Sequence, residues 1–135
     1  MRENAGMTLR AAVCTLLAAV FAVAGVLHFT HTDAFATIVP PPLPGRFIVR
    51  LTGAMELLFA AGIVWPRTRP VAGILLALYC LAVLPANIFM ALNAIPFGTV
   101  TVPPAVLWLR VALQFPLIAL IVWATSAPRA PSHAG

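Results

Sequence analysis

Apolar residues come along the chain in four runs, each too long for a soluble helix face and too continuous for a half-buried strand. They cover residues 11–29, 47–65, 71–92 and 105–124. Arginine, proline or small polar residues bound each run. A helix needs about 20 mostly apolar residues to cross the hydrocarbon core of a bilayer. Lipid offers a backbone amide no partner, so each run must satisfy its own hydrogen bonds as a helix. The pattern predicts an all-α membrane protein. Residues 1–135 form one domain, a four-transmembrane-helix antiparallel bundle with a short outer interfacial helix.

The links between the runs differ in character. Trp65-Pro66-Arg67-Thr68-Arg69-Pro70 leaves room only for a tight hairpin between spans two and three, with Trp65 at the level of an interfacial anchor. The link from Thr30 to Arg46 is longer. Thr32 and Asp33 are residues that cap helices, and Phe35 and Ile38 would then share one face. This predicts the short outer helix, lying along the membrane surface. Pro40-Pro41-Pro42 ends it in a stiff, extended turn. The link from Asn93 to Pro104 ends on a proline suited to the first turn of the last helix. The polar tail from Pro128 to Gly135 is expected to be disordered. The first run, with Arg2, Arg10 and Ala22-Val23-Ala24, also has features of a signal peptide. Its continuation through Val26-Leu27, and the three runs that follow, favour a retained span.

Composition agrees with lipid as the solvent. Hydrophobic residues make up 62% of the chain and charged residues 8%, where a soluble domain has about 25% charged. The net charge of +5 reflects scarce acids, since eight arginines face only Glu3, Asp33 and Glu56. No basic stripe is interleaved with aromatics, so nucleic acid is not an expected partner. The arginines read instead as topology signals. Arg2, Arg10, Arg67, Arg69 and Arg129 fall on one side, against Arg46 with Arg50 and Arg110 just inside spans on the other. The positive-inside rule then gives a multi-pass membrane protein with both termini cytoplasmic. Cys14 and Cys80 form neither a CxxC pair nor a metal-ligand spacing and read as buried thiols. Gly25, Gly53, Ala60-Ala61-Gly62, and Gly73 with Ala77 are small residues of the kind that let membrane helices approach closely.

Polar side chains within spans narrow the functional reading, because they are costly in lipid and face the bundle interior or water. Five stand out: His28, Glu56, Asn87, Arg110 and Gln114. At about 1.5 Å of rise per residue, all five fall in the outer half of the bilayer. Arg110 and Gln114 are four residues apart and share a helix face. Glu56 alone would either protonate or seek a cation, and Arg110 is the arginine at a matching depth, so an ion pair between them is expected, supported by Gln114 and Asn87. Arg50 competes, but sits nearer the outer surface and off the face of Glu56. Pro85 and Pro116 lie beside this layer and free the carbonyls of Leu81 and Ala112, which could open a small pocket. The layer reads either as a structural clasp fixing helix register, or as a site for a lipophilic small molecule such as a quinone, or as a proton-handling site. His28 and His31 alone make a weak metal or haem site, and no cofactor is required.

Five strings give the chain a family resemblance: Gly25-Val-Leu-His28-Phe29; Ile38-Val-Pro40 with Leu43-Pro44; Leu51-Thr-Gly53-Ala-Met-Glu56-Leu; Leu84-Pro85-Ala86-Asn87-Ile88; and Arg110-Val-Ala-Leu-Gln114. In this order and spacing they resemble the DoxX-like family of small bacterial integral membrane proteins, and they touch all four spans. The resemblance implies a four-helix membrane bundle in the bacterial plasma (inner) membrane. Some relatives are subunits of thiosulfate:quinone oxidoreductases, others accompany redox or disulfide-maturation systems, and animal relatives assist receptor assembly. This chain departs from a dithiol reading, since Cys14 and Cys80 form no motif.

Two functions from different classes follow. One is an accessory or anchor subunit of a quinone-linked redox system, with membrane lipid and a redox protein as partners. The other is a binding or assembly protein without chemistry, its polar layer a clasp. Autonomous enzyme activity is not expected, because no nucleophile–base pair, metal cluster or phosphate loop is visible. A transport path through four spans would need a homo-oligomer.

Overall fold

The computed structural model describes residues 2–126, with side chains from Ala5 onward. Four long helices carry the four apolar runs: α1 Arg2–Thr30, α3 Gly45–Val64, α4 Arg69–Asn93 and α5 Pro104–Thr125. A short helix, α2 Thr32–Ala36, lies between the first two. All four long helices are apolar enough to cross a membrane, and no more than 33% of the most apolar window of any is buried within the chain. The remaining apolar surface needs lipid around it, so the chain is a multi-pass membrane protein. The polar tail expected from Pro128 lies outside the described residues.

The helices form a ring. α1 packs on α3 and α4 on α5, with narrower seams between α3 and α4 and between α1 and α5. α3 and α5 lie diagonally opposite. The turn from α3 to α4 is the tight hairpin that its length requires. Thr68 Oγ1 donates to the Gly62 carbonyl at 2.8 Å, and Arg69 Nε to that of Ile63 at 2.9 Å. Both satisfy carbonyls that the end of a helix leaves without partners. On the same side, which carries the termini, Arg10 Nη1 donates to the Ser126 carbonyl at 2.9 Å and its guanidinium lies over the Trp123 ring. Cys14 is buried, its Sγ 3.4 Å from the Ala124 carbonyl oxygen.

The opposite side is closed by a cap, and here the expectation changes. Phe35 and Ile38 do share a face, but they turn into the bundle and not toward the membrane surface. Phe35 stacks on His28 with ring centroids 4.1 Å apart and meets Phe97 edge-on at 4.7 Å. Ile38 is buried with Met90, Ala91, Leu107 and Val111. Neither Thr32 nor Asp33 caps α2. Thr32 Oγ1 donates back to the His28 carbonyl at 2.8 Å, and Asp33 pairs with Arg46 at 2.8 Å. The reason is burial: the open end of the ring offers Ile38 an apolar seat and Phe35 the faces of the His28 and Phe97 rings, and the Asp33–Arg46 contact fastens the cap to the start of α3.

Two apolar clusters fill the ring. One, toward the termini, contains Leu17, Phe21, Phe59, Ile63, Leu76 and Ile121. The other lies under the cap. Asn87 on α4 and Gln114 on α5 fall between the segments that build the two clusters, so the polar layer is sandwiched between apolar ones.

Candidate functional site

Close packing of α1 on α3 builds the first part of the site. A Cβ added at Gly25 would lie 2.9 Å from the Gly53 carbonyl oxygen, and one at Gly53 would lie 2.6 Å from the His28 Cβ. Both are below contact distance, so only glycine permits this approach. It brings His28 Nδ1 to 3.2 Å from Glu56 Oε2. His28 Nδ1 is also 2.7 Å from the Ala24 carbonyl oxygen. That oxygen can only accept, so Nδ1 carries a hydrogen.

Glu56 is 6% exposed and is held from two helices. Tyr79 of α4 donates its O–H to Oε1 at 2.7 Å, and His28 of α1 stands by Oε2. Oε2 is buried without an aligned hydrogen bond. The expected Glu56–Arg110 ion pair is not formed, because Arg110 meets no carboxylate of the described residues within 4.0 Å. The ring explains this. α3 and α5 face each other across a diagonal, whereas α1 and α4 flank α3 and supply donors at contact distance. Arg110 instead places Nη1 3.6 Å from Met90 Sδ, a weak acceptor.

Asn87 and Gln114 do meet, as a bridge between α4 and α5. Asn87 Nδ2 donates to Gln114 Oε1 at 2.6 Å, and Gln114 Nε2 donates to the Cys80 carbonyl. Both side chains are buried. The layer thus divides into a His28–Glu56–Tyr79 group and an Asn87–Gln114 group, with Arg110 beside both.

Three cavities surround these groups. The first, of about 520 Å³, opens laterally between Phe21 of α1 and Leu109, Leu113 and Leu117 of α5, and is floored by Glu56, Tyr79, Asn87, Arg110 and Gln114. The second, about 110 Å³, lies under the cap between His28, Phe35, Ile38 and Thr52. Glu56, Tyr79, Val83, Asn87 and Arg110 line both. A third, about 510 Å³ and almost wholly apolar, runs between α3 and α4 past Met55, Phe59 and Pro85, with Tyr79 again in its wall. All five residues singled out from the sequence therefore line the first or second cavity. Among the described residues, no three of His, Cys, Asp and Glu cluster as metal ligands would.

Tyr79 is the residue that sequence reasoning missed. A signal was present: it is the chain's one tyrosine, and Tyr79, Val83 and Asn87 repeat every four residues, on one face of α4. A buried tyrosine hydroxyl also requires a partner.

No curated protein and no solved structure matches the chain. A family model described as a domain of unknown function (DUF8561) matches residues 17–127, from the middle of α1 through all of α5. That match takes in the polar layer, the cap and every cavity described above, and the chain belongs to the DUF8561 family.

Proposed function

We propose that the chain is an accessory or anchor subunit of a quinone-linked redox system, and that its polar layer binds a small lipophilic ligand inside the membrane. The observation that carries this reading is the lateral cavity. Its volume of about 520 Å³ falls in the range of small-molecule sites, roughly 300–1,000 Å³. Its walls are apolar, and its floor holds a carboxylate and a guanidinium that are not paired with each other. Ionisable groups within a span mark ligand or ion sites by default. A ring-shaped lipophile with oxygen atoms at its edge fits both the walls and the floor. The resemblance to DoxX-like proteins, some of which serve quinone-linked oxidoreductases, supports the same reading. The chain supplies no redox centre of its own in this proposal; the electron-transferring group belongs to a partner protein. The excess of arginine on the side of the termini supports cytoplasmic termini, which leaves the polar layer in the outer leaflet.

The test is extraction of the protein with its native lipid, followed by mass spectrometry of bound small molecules and co-purified proteins. Quinone retained with the protein, together with a redox enzyme, is the expected result. Recovery of the chain alone, free of quinone, would sink the reading.

One observation favours a second reading, a binding or assembly protein whose layer is a clasp. The Asn87–Gln114–Cys80 bonds are satisfied entirely within the bundle and lock α4 to α5. In that case quinone is absent, and Asn87→Leu lowers stability without changing any bound ligand.

A further inference from the structure

We propose that the lateral cavity selects the reduced, hydroxyl-bearing form of its ligand, a hydroquinone in preference to the corresponding quinone. This rests on the ligand-site reading above and adds the hydrogen-bond polarity of the ligand.

The inference comes from counting which donors and acceptors on the cavity floor remain unused. A carboxylate accepts at about four lone-pair positions. On Glu56 the Tyr79 O–H occupies one of them, at Oε1, and Oε2 has no aligned donor. Oε1 keeps a further lone-pair position beyond the Tyr79 bond, and Glu56 lines the cavity. Arg110 is a donor only, and of its N–H groups Nη1 meets nothing better than the Met90 thioether. Asn87 and Gln114 are engaged with each other and with the Cys80 carbonyl. The floor therefore offers a charged donor and a charged acceptor, both under-used and both lining the same cavity.

A quinone carries acceptors alone. One of its carbonyls takes a hydrogen from Arg110, but the buried carboxylate gains nothing and faces another negative oxygen. A hydroquinone satisfies both groups: its oxygen accepts from Arg110 and its O–H donates to Glu56. Hydrogen bonds to charged groups are the strong ones, and a site built to receive a hydroxyl discriminates against the analogue that lacks it.

The experiment uses the purified full-length chain in lipid nanodiscs, without oxygen. Equilibrium binding is measured for a short-chain benzoquinone, its hydroquinone and the dimethyl ether of that hydroquinone. The hydroquinone is expected to bind at least about tenfold tighter than the quinone, equivalent to a midpoint potential raised by about 30 mV for the bound two-electron couple. The dimethyl ether, which keeps the shape and loses the O–H, is expected to bind no tighter than the quinone; this comparison needs no variant. Glu56→Leu should bring the ratio of quinone to hydroquinone affinity near unity. Equal binding of the two forms, or tighter binding of the quinone, overturns the proposed selectivity and leaves a ligand site standing. Failure of all three compounds to bind overturns the ligand site with it.

Discussion

Glu56 is where the chemistry of single residues decides most. A carboxylate in hydrocarbon must find partners, and it takes a hydrogen bond from Tyr79 on α4 and a close ionic neighbour in His28 on α1. Removing the tyrosine hydroxyl leaves the carboxylate buried with one donor fewer, at a cost of about 1–3 kcal/mol. Tyr79→Phe is thus expected to lower unfolding stability in that range, read by denaturation in a fixed detergent. The pairing itself is separable by double-mutant cycles. Glu56→Gln combined with Tyr79→Phe should show a coupling of about 1 kcal/mol, as contacting residues do. Glu56→Gln combined with Arg110→Met should show a smaller coupling, since those two share a cavity but no hydrogen bond. A large coupling in the second cycle would restore the ion pair that the structure replaces.

The decisive element is the seam between α1 and α3. Gly25 and Gly53 hold the two backbones close enough for His28 to reach Glu56. Gly53→Ala sets a methyl group 2.6 Å from the His28 Cβ, so α1 must shift outward, carrying His28 away. Overpacking of this kind costs about 1–3 kcal/mol. Gly6→Ala is the matching control, since nothing lies within 4 Å of its added Cβ. The expected result is a clear fall in melting temperature for Gly53→Ala and none for Gly6→Ala. Equal melting temperatures would mean that the seam is loose. The cap behaves as an element too: α2 is only five residues long, and its place comes from Phe35, Ile38 and the Asp33–Arg46 contact.

For the whole molecule, the even number of spans sets both ends of the bundle on one side of the membrane. In the orientation proposed above, that side is the cytoplasm. Green fluorescent protein fused to either terminus is expected to fluoresce, and alkaline phosphatase inserted in the Pro40–Pro42 turn to be active. Active phosphatase at the termini would reverse the orientation and move the polar layer to the inner leaflet. Each span leaves about two thirds or more of its most apolar window outside the bundle. The molecule is therefore finished by lipid or by a protein partner, and the lateral cavity opens into that surrounding layer.

The order of residues alone was enough for the four spans, the tight hairpin and the polar residues that had to lie inward. These follow from local rules: a run of about 20 apolar residues in lipid has no choice but a helix, and polar groups there cannot face hydrocarbon. Which polar group meets which was left to the packing of the helices. Depth along a helix is legible from residue counting, but the order of helices around the ring is not. With α3 and α5 on a diagonal, Glu56 met Tyr79 and His28, while Arg110, at the right depth, was left across a cavity from it and beyond pairing distance. The cap was decided in the same way, since an amphipathic segment lies on whichever apolar surface is nearer, and the open end of the bundle was nearer to Phe35 and Ile38 than the membrane.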